Sequence, residues 1–124
     1  MAKVIVIDDS ETLRSQIRKD LEASGHTVVE GTDGIHGLEV IQATNDARLV
    51  ICDVNMPRMD GLTMCGKLFE IRGGKSVPIL ILTTECSPEM KEKGKAAGVV
   101  AWITKPHTPE KLKAAVEKLT SAAA

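Results

Sequence analysis

Three stretches of the chain are apolar at every position: VIVI at 4–7, LVIC at 49–52 and ILIL at 79–82. A strand with one wet face alternates, so these unbroken runs predict strands covered on both faces, over 4–8, 48–53 and 77–83. TVVEG at 27–31 and VVAWIT at 99–104 are weaker strand signals and are predicted as strands nearer the edges. Between the strands the period changes. Leu13, Ile17 and Leu21 mark one helix, Leu38 and Ile41 a second, and Leu62, Cys65, Leu68 and Phe69 a third, each the inward stripe of an amphipathic helix. Ser87-Pro88-Glu89 and Thr108-Pro109-Glu110 each join a capping hydroxyl, a first-turn proline and an acid at the positive end of the helix dipole, and so open a fourth and a fifth helix. The fourth is expected to be the least stable, with Gly94 inside it and Gly98 closing it.

Five strands each followed by a helix imply parallel pairing with crossover helices. The predicted fold is a flavodoxin-like, doubly wound α/β domain, (βα)5, with a five-stranded parallel sheet in the order 2-1-3-4-5. At 124 residues, 43% hydrophobic and 27% charged, the chain is read as one globular domain over 1–124. Only Phe69 and Trp102 are aromatic, which argues against a base-stacking surface and hence against nucleic acid. No apolar segment approaches a membrane span and the N-terminus does not resemble a signal peptide, so a cytoplasmic protein without a membrane partner is expected. Cys52, Cys65 and Cys86 are odd in number and lack C-x-x-C spacing, which fits reduced thiols. The net charge of -1 is uneven, because residues 88–124 carry seven lysines against four glutamates. That basic third fits an acidic partner or an ordinary solvated face.

In the predicted order, Asp8 and Asp9 at the end of strand 1, Asp53 at the end of strand 3, Thr83 at the end of strand 4 and Lys105 just after strand 5 all reach the carboxyl edge of the sheet, where such folds bind ligands. Singly they are ordinary: Asp9 suits a helix cap, Thr83 a strand end and Lys105 a solvated surface. Their convergence is the argument. Neighbouring strands lie about 5 Å apart, and two carboxylates near 4 Å repel by about 4 kcal/mol at an effective dielectric of 20. A hard divalent ion relieves that strain, and an all-oxygen set points to Mg2+. A carboxylate beside a metal, a hydroxyl and a lysine has the parts for in-line phosphoryl transfer, with Asp53 as nucleophile.

The motifs IDDS at 7–10, DVNMPRMDG at 53–61, LTTE at 82–85 and TKP at 104–106 give the chain its resemblance to the receiver domains of two-component response regulators, of the stand-alone CheY type, over essentially its whole length. The resemblance implies that Asp53 accepts a phosphoryl group from a histidine kinase, and that Asp8 or Asp9, together with Asp53 and the backbone carbonyl of Asn55, holds Mg2+. It implies further that Thr83 bonds the phosphoryl oxygen, that Lys105 pairs with it before a cis Lys105-Pro106 peptide, and that Asn55 and Glu85 tune attack by water on the aspartyl phosphate. The implied output is the face made by helix 4, strand 5 and helix 5, with a flagellar motor switch protein or another response target as partner and a phosphatase to reset it. Such a domain catalyses only its own phosphorylation and dephosphorylation. The sequence ends at SAAA with no effector region, so action through a partner is expected.

Some positions depart from the family. Trp102 stands where relatives carry a Tyr or Phe that turns inward as Thr83 moves, and an indole is larger and needs a partner for its N–H when buried. A hindered inward state is the expectation. Thr84, His107 and Ser87-Pro88 also differ from common relatives, which bears on the output surface. Cys86 is read as a plain thiol, His26, His36 and His107 as surface residues, and Met56 and Met59 as packing. Two other functions compete. One is a phosphorelay intermediate or phosphate sink with no output target. The other is a small-molecule phosphatase of the haloacid dehalogenase type, disfavoured because those enzymes place the nucleophile on the first strand with a second Asp two residues on, where this chain has Asp53 on the third and Asn55.

Overall fold

The computed structural model describes residues 2–71 and 77–122; the last two residues of the SAAA segment lie outside that set. Five strands alternate with five helices: β1 (Lys3–Ile7), α1 (Glu11–Ala23), β2 (Thr27–Gly31), α2 (Gly34–Ala43), β3 (Ala47–Cys52), α3 (Gly61–Ile71), β4 (Ile79–Thr83), α4 (Pro88–Ala96), β5 (Val99–Thr104) and α5 (Pro109–Ala122). All neighbouring strands pair parallel in the order β2-β1-β3-β4-β5, the flavodoxin-like arrangement the pattern predicts. β2 and β5 are the edges.

The unbroken apolar runs are explained by two cores. Alternate strand residues point to opposite faces, so Val4, Val6, Leu49, Ile51, Leu80 and Leu82 pack on one side with Ile17 and Leu21 of α1 and Leu112 and Val116 of α5. Ile5, Ile7, Val50, Cys52, Ile79 and Ile81 pack on the other with Ile41 of α2 and Met64, Cys65 and Leu68 of α3. Phe69 does not join them. It is 39% exposed, because the inward stripe of α3 runs through Gly61, Met64, Cys65 and Leu68 and leaves the next position on its flank.

Five strand ends differ from expectation by one or two residues, β1 and β3 each beginning one residue early at Lys3 and Ala47. β1 and β3 stop before Asp8 and Asp53, whose carboxylates accept nearby backbone N–H groups, from Ser10 at 2.8 Å and from Val54 at 2.7 Å; such local bonds compete with the ladder. β4 starts after Pro78, which has no N–H to donate although its carbonyl accepts from Val50 at 2.9 Å. The helix starts at Pro88 and Pro109 stand as read, with Ser87 accepting from the Met90 N–H and Thr108 from the Lys111 N–H.

Candidate functional site

Register decides which polar residues meet. Ile7 pairs with Cys52, so the residues that follow, Asp8 and Asp53, leave adjacent strands side by side. Carboxylate oxygens of Asp8, Asp9 and Asp53 lie within 4.8 Å of one another. Thr83, fully buried, ends β4 opposite Thr104, and the next residue, Lys105, donates its N–H to the Thr83 carbonyl at 2.7 Å. The Lys105 side chain then reaches back across the edge. Its Nζ donates to Asp8 Oδ2 at 3.0 Å and to Asp53 Oδ2 at 2.9 Å. The Lys105-Pro106 peptide is cis.

This lysine revises the expectation that the carboxylates need a metal to coexist. Burial pushes the Asp8 carboxyl up, and the Asp53 charge adds to it, against the pull of the Ser10 N–H and Lys105; the net direction is upward. Burial pushes Asp53 up as well, but the Thr83 hydroxyl, Lys105 and the Val54 N–H outweigh it and hold this carboxyl below the usual range. Lys105 is lowered by burial and raised more strongly by its two carboxylates. Asp53 is therefore the stabilised anion at the centre, and Asp8 the strained one. Three carboxylates against one ammonium still leave a negative, all-oxygen pocket, and that donor set fits a hard divalent ion such as Mg2+.

The turn after Asp53 closes over it. Gly61 is required there, since a Cβ would run into the Asp53 carbonyl. Asp60 caps α3 by accepting the Thr63 N–H at 2.8 Å. Asn55 places its N–H 3.4 Å from Asp53 Oδ1 and its side-chain amide 3.1 Å from Glu85 Oε1. The turn is also clasped from outside by a pair the sequence reading missed: Arg58, at a left-handed φ of 65°, donates to Asp33 at 2.8 and 3.2 Å. Its only signal is a non-glycine residue in a tight Pro-x-x-Asp-Gly turn.

Glu85 links the turn to the fifth strand. Its N–H donates to the Thr83 hydroxyl at 3.3 Å, and its carbonyl accepts the Trp102 indole N–H at 2.8 Å. The indole is partly buried with the core of α2, α3 and α4, its N–H has the partner a buried indole needs, and Gly94 makes the room, since a methyl there would sit 2.9 Å from Cζ3. His26 is likewise not a surface residue. It is buried, accepting the Ala2 N–H at Nδ1 and meeting Glu117 through Nε2 at 2.9 Å. His36 and His107 are partly buried. The thiols of Cys52 and Cys65 are buried and free; burial drives the first well up and the second to about 12, so neither is a nucleophile. Cys86 is free and exposed.

The sequence profile of the response regulator receiver domain family matches residues 4–117. The chemotaxis protein CheY1 of Helicobacter pylori is 36% identical over 116 residues, covering 93% of this chain and 94% of that protein. The sensor histidine kinase CheAY of the same organism is 36% identical over 118 residues, 93% of this chain, which spans only 14% of that protein's length. Among solved structures, the Vibrio cholerae chemotaxis protein CheY4 superposes with a TM-score of 0.87 at 38% identity, over 96% of this chain and 98% of that one.

Proposed function

The chain belongs to the response regulator receiver domain family, and we propose from that premise that it is a phosphorylation switch of a chemotaxis-type two-component pathway, with Asp53 as the residue that takes the phosphoryl group from a histidine kinase. The observation that carries this reading is Lys105 Nζ at 2.9 Å from Asp53 Oδ2, beside a buried Thr83 and within a cluster of carboxylates. In the forward step an Asp53 oxygen attacks phosphorus. A P–O bond forms, the P–N bond to the donor imidazole breaks, and the imidazole leaves with the bonding pair and takes up a proton. Lys105 and the Thr83 hydroxyl donate to the phosphoryl oxygens as their charge is redistributed. Water later attacks phosphorus, releasing inorganic phosphate and restoring the carboxylate. Asn55 and Glu85, bonded to each other over the site, govern access for that water. Asp8, Asp9, Asp53 and the Asn55 carbonyl would hold Mg2+, which when bound neutralises charge on the transferring group.

In this reading the domain turns over no external substrate and works in the cytoplasm, through a target protein and with a phosphatase that resets it. The face made by α4, β5 and α5 carries the lysine-rich third of the chain, which suits an acidic target such as a motor switch protein. The test is labelling with a small acyl phosphate and Mg2+. Mass mapping should find one phosphoryl group, on Asp53, and equal labelling of Asp53→Asn would remove the assignment.

A second reading, a phosphorelay intermediate or phosphate sink, is favoured by one observation: Trp102 is already docked on the Glu85 carbonyl while Thr83 accepts the Glu85 N–H. Trp102 emission and acrylamide quenching, recorded before and after a beryllofluoride phosphate mimic, decide between them. Reduced quenching that disappears in Thr83→Ala supports the output switch; unchanged quenching with confirmed mimic binding supports the relay or sink.

A further inference from the structure

Arg14 has no part in the reaction above, yet it is the most deeply placed cation beside the site. It lies on α1 in the stripe with Ile17 and Leu21, and only 8% of it is exposed. Arginine is almost never buried to this degree unless paired, because an uncompensated buried charge costs several kcal/mol. Its compensation here is directional. Nε donates to Glu30 Oε1 on β2 at 2.8 Å, and Nη1 donates to the backbone carbonyl of Asp8 at 2.5 Å. Glu30 is itself fixed from a second side by Arg18 Nε at 2.7 Å.

The consequence falls on Asp8. Its N–H donates to the Gly31 carbonyl at 3.1 Å, its carbonyl accepts from Arg14, and its Oδ1 accepts the Ser10 N–H at 2.8 Å. Both backbone polar groups of the residue are held, which fixes the direction in which its side chain leaves the strand end and the direction of the chain into Asp9. We infer that Arg14 is a positioning residue for the acidic pocket: by holding the Asp8 carbonyl it sets how the Asp8 and Asp9 carboxylates face Asp53, and so the affinity of the pocket for a divalent ion. This rests on the reading of the pocket as a Mg2+ site. A lysine cannot replace the guanidinium, because only the planar fork serves Glu30 and the Asp8 carbonyl at once.

A merely structural arginine would tie α1 to β2 and affect stability alone, so the test separates affinity from folding. Calorimetric titration of the whole protein with Mg2+ is compared for wild type, Arg14→Met, Arg14→Lys and Glu30→Gln. Leu21→Ala, which opens a cavity in the same stripe of α1, is the control. Affinity should fall roughly tenfold in both Arg14 variants, the size usual for residues that orient metal ligands, less in Glu30→Gln, and not at all in Leu21→Ala. At saturating Mg2+ the rate of Asp53 labelling by an acyl phosphate should return to that of wild type in Arg14→Met. Unchanged affinity in a folded Arg14→Met, or an equal loss in Leu21→Ala, overturns the inference. Should Arg14→Met not fold, unchanged affinity in both Arg14→Lys and Glu30→Gln overturns it. A wild type that binds no Mg2+ removes the pocket reading and the inference together, a result distinct from a wild type that binds and variants that bind equally well.

Discussion

Lys105 serves two carboxylates at once, 3.0 Å from Asp8 and 2.9 Å from Asp53, and Asp9 is the third acid of the cluster and the exposed one. One cation among three anions offsets part of the repulsion and leaves the rest to be relieved by an ion or by removal of a charge. Asp9→Asn removes the charge without disturbing the Lys105 pairs. Because Asp9 faces water, the gain is modest, roughly 1 kcal/mol or less, which for a domain of this size corresponds to a rise in melting temperature of about 2–5 °C. Melts without divalent ion should show that rise. With Mg2+, wild type should gain more than the variant, since an ion that binds only the folded state adds stability by mass action. A variant that melts no higher than wild type in the absence of metal would mean that the third carboxylate is too well solvated to repel the others.

At the scale of elements, α4 shows how a local weakness becomes a fitted joint. An interior glycine costs about 1 kcal/mol relative to alanine in a helix, and on that ground alone Gly94→Ala should stabilise. The methyl would sit 2.9 Å from Trp102 Cζ3, and overpacking of this kind costs about 1–3 kcal/mol, so the clash wins. The expected result is a net loss of about 1 kcal/mol, with Trp102 emission shifted to the red and its quenching by acrylamide increased. An unaltered spectrum together with a higher melting temperature would show that the ring is not held against α4. The sequence marks Gly94 as a helix breaker and Trp102 as too large for its position; what it does not carry is that each is the reason for the other, because they are brought together only when α4 packs on β5. Arg14 was hidden for a related reason. It falls on the same helical face as Ile17 and Leu21, a charge in an apolar stripe, but the two partners that make it tolerable, Glu30 and the Asp8 carbonyl, lie on β2 and at the end of β1.

For the molecule as a whole, the sheet order and the meeting of Asp8, Asp53, Thr83 and Lys105 were legible because both follow from apolar runs that each end in a polar residue, a pattern that needs no side-chain detail. The ion pairs were not legible, since they depend on how long side chains cross between elements, and they set the response of the fold to acid. Arg58 and the His36 N–H hold Asp33 below the usual carboxylate range. Burial pushes Glu30 up, but Arg14 and Arg18 hold it below that range too, and Asp53 lies low for the reasons given above. A depressed carboxylate stabilises the fold at pH values above its unfolded pKa, about 4, and that contribution is lost as pH falls through the folded value. Asp8, raised by burial, works the other way and is relieved by protonation as pH approaches 4 from above. Without divalent ion, the midpoint of urea denaturation should therefore change little from neutral pH to about 5 and then fall steeply below about 4. Arg58→Met tests one contributor while leaving the Asp33 carboxylate in place to accept the His36 N–H. Its midpoint should be lower than that of wild type at pH 7, and the two curves should converge as Asp33 becomes protonated. A constant gap between them down to pH 3 would show that the arginine acts through the shape of its left-handed turn and not through the charge it presents to Asp33.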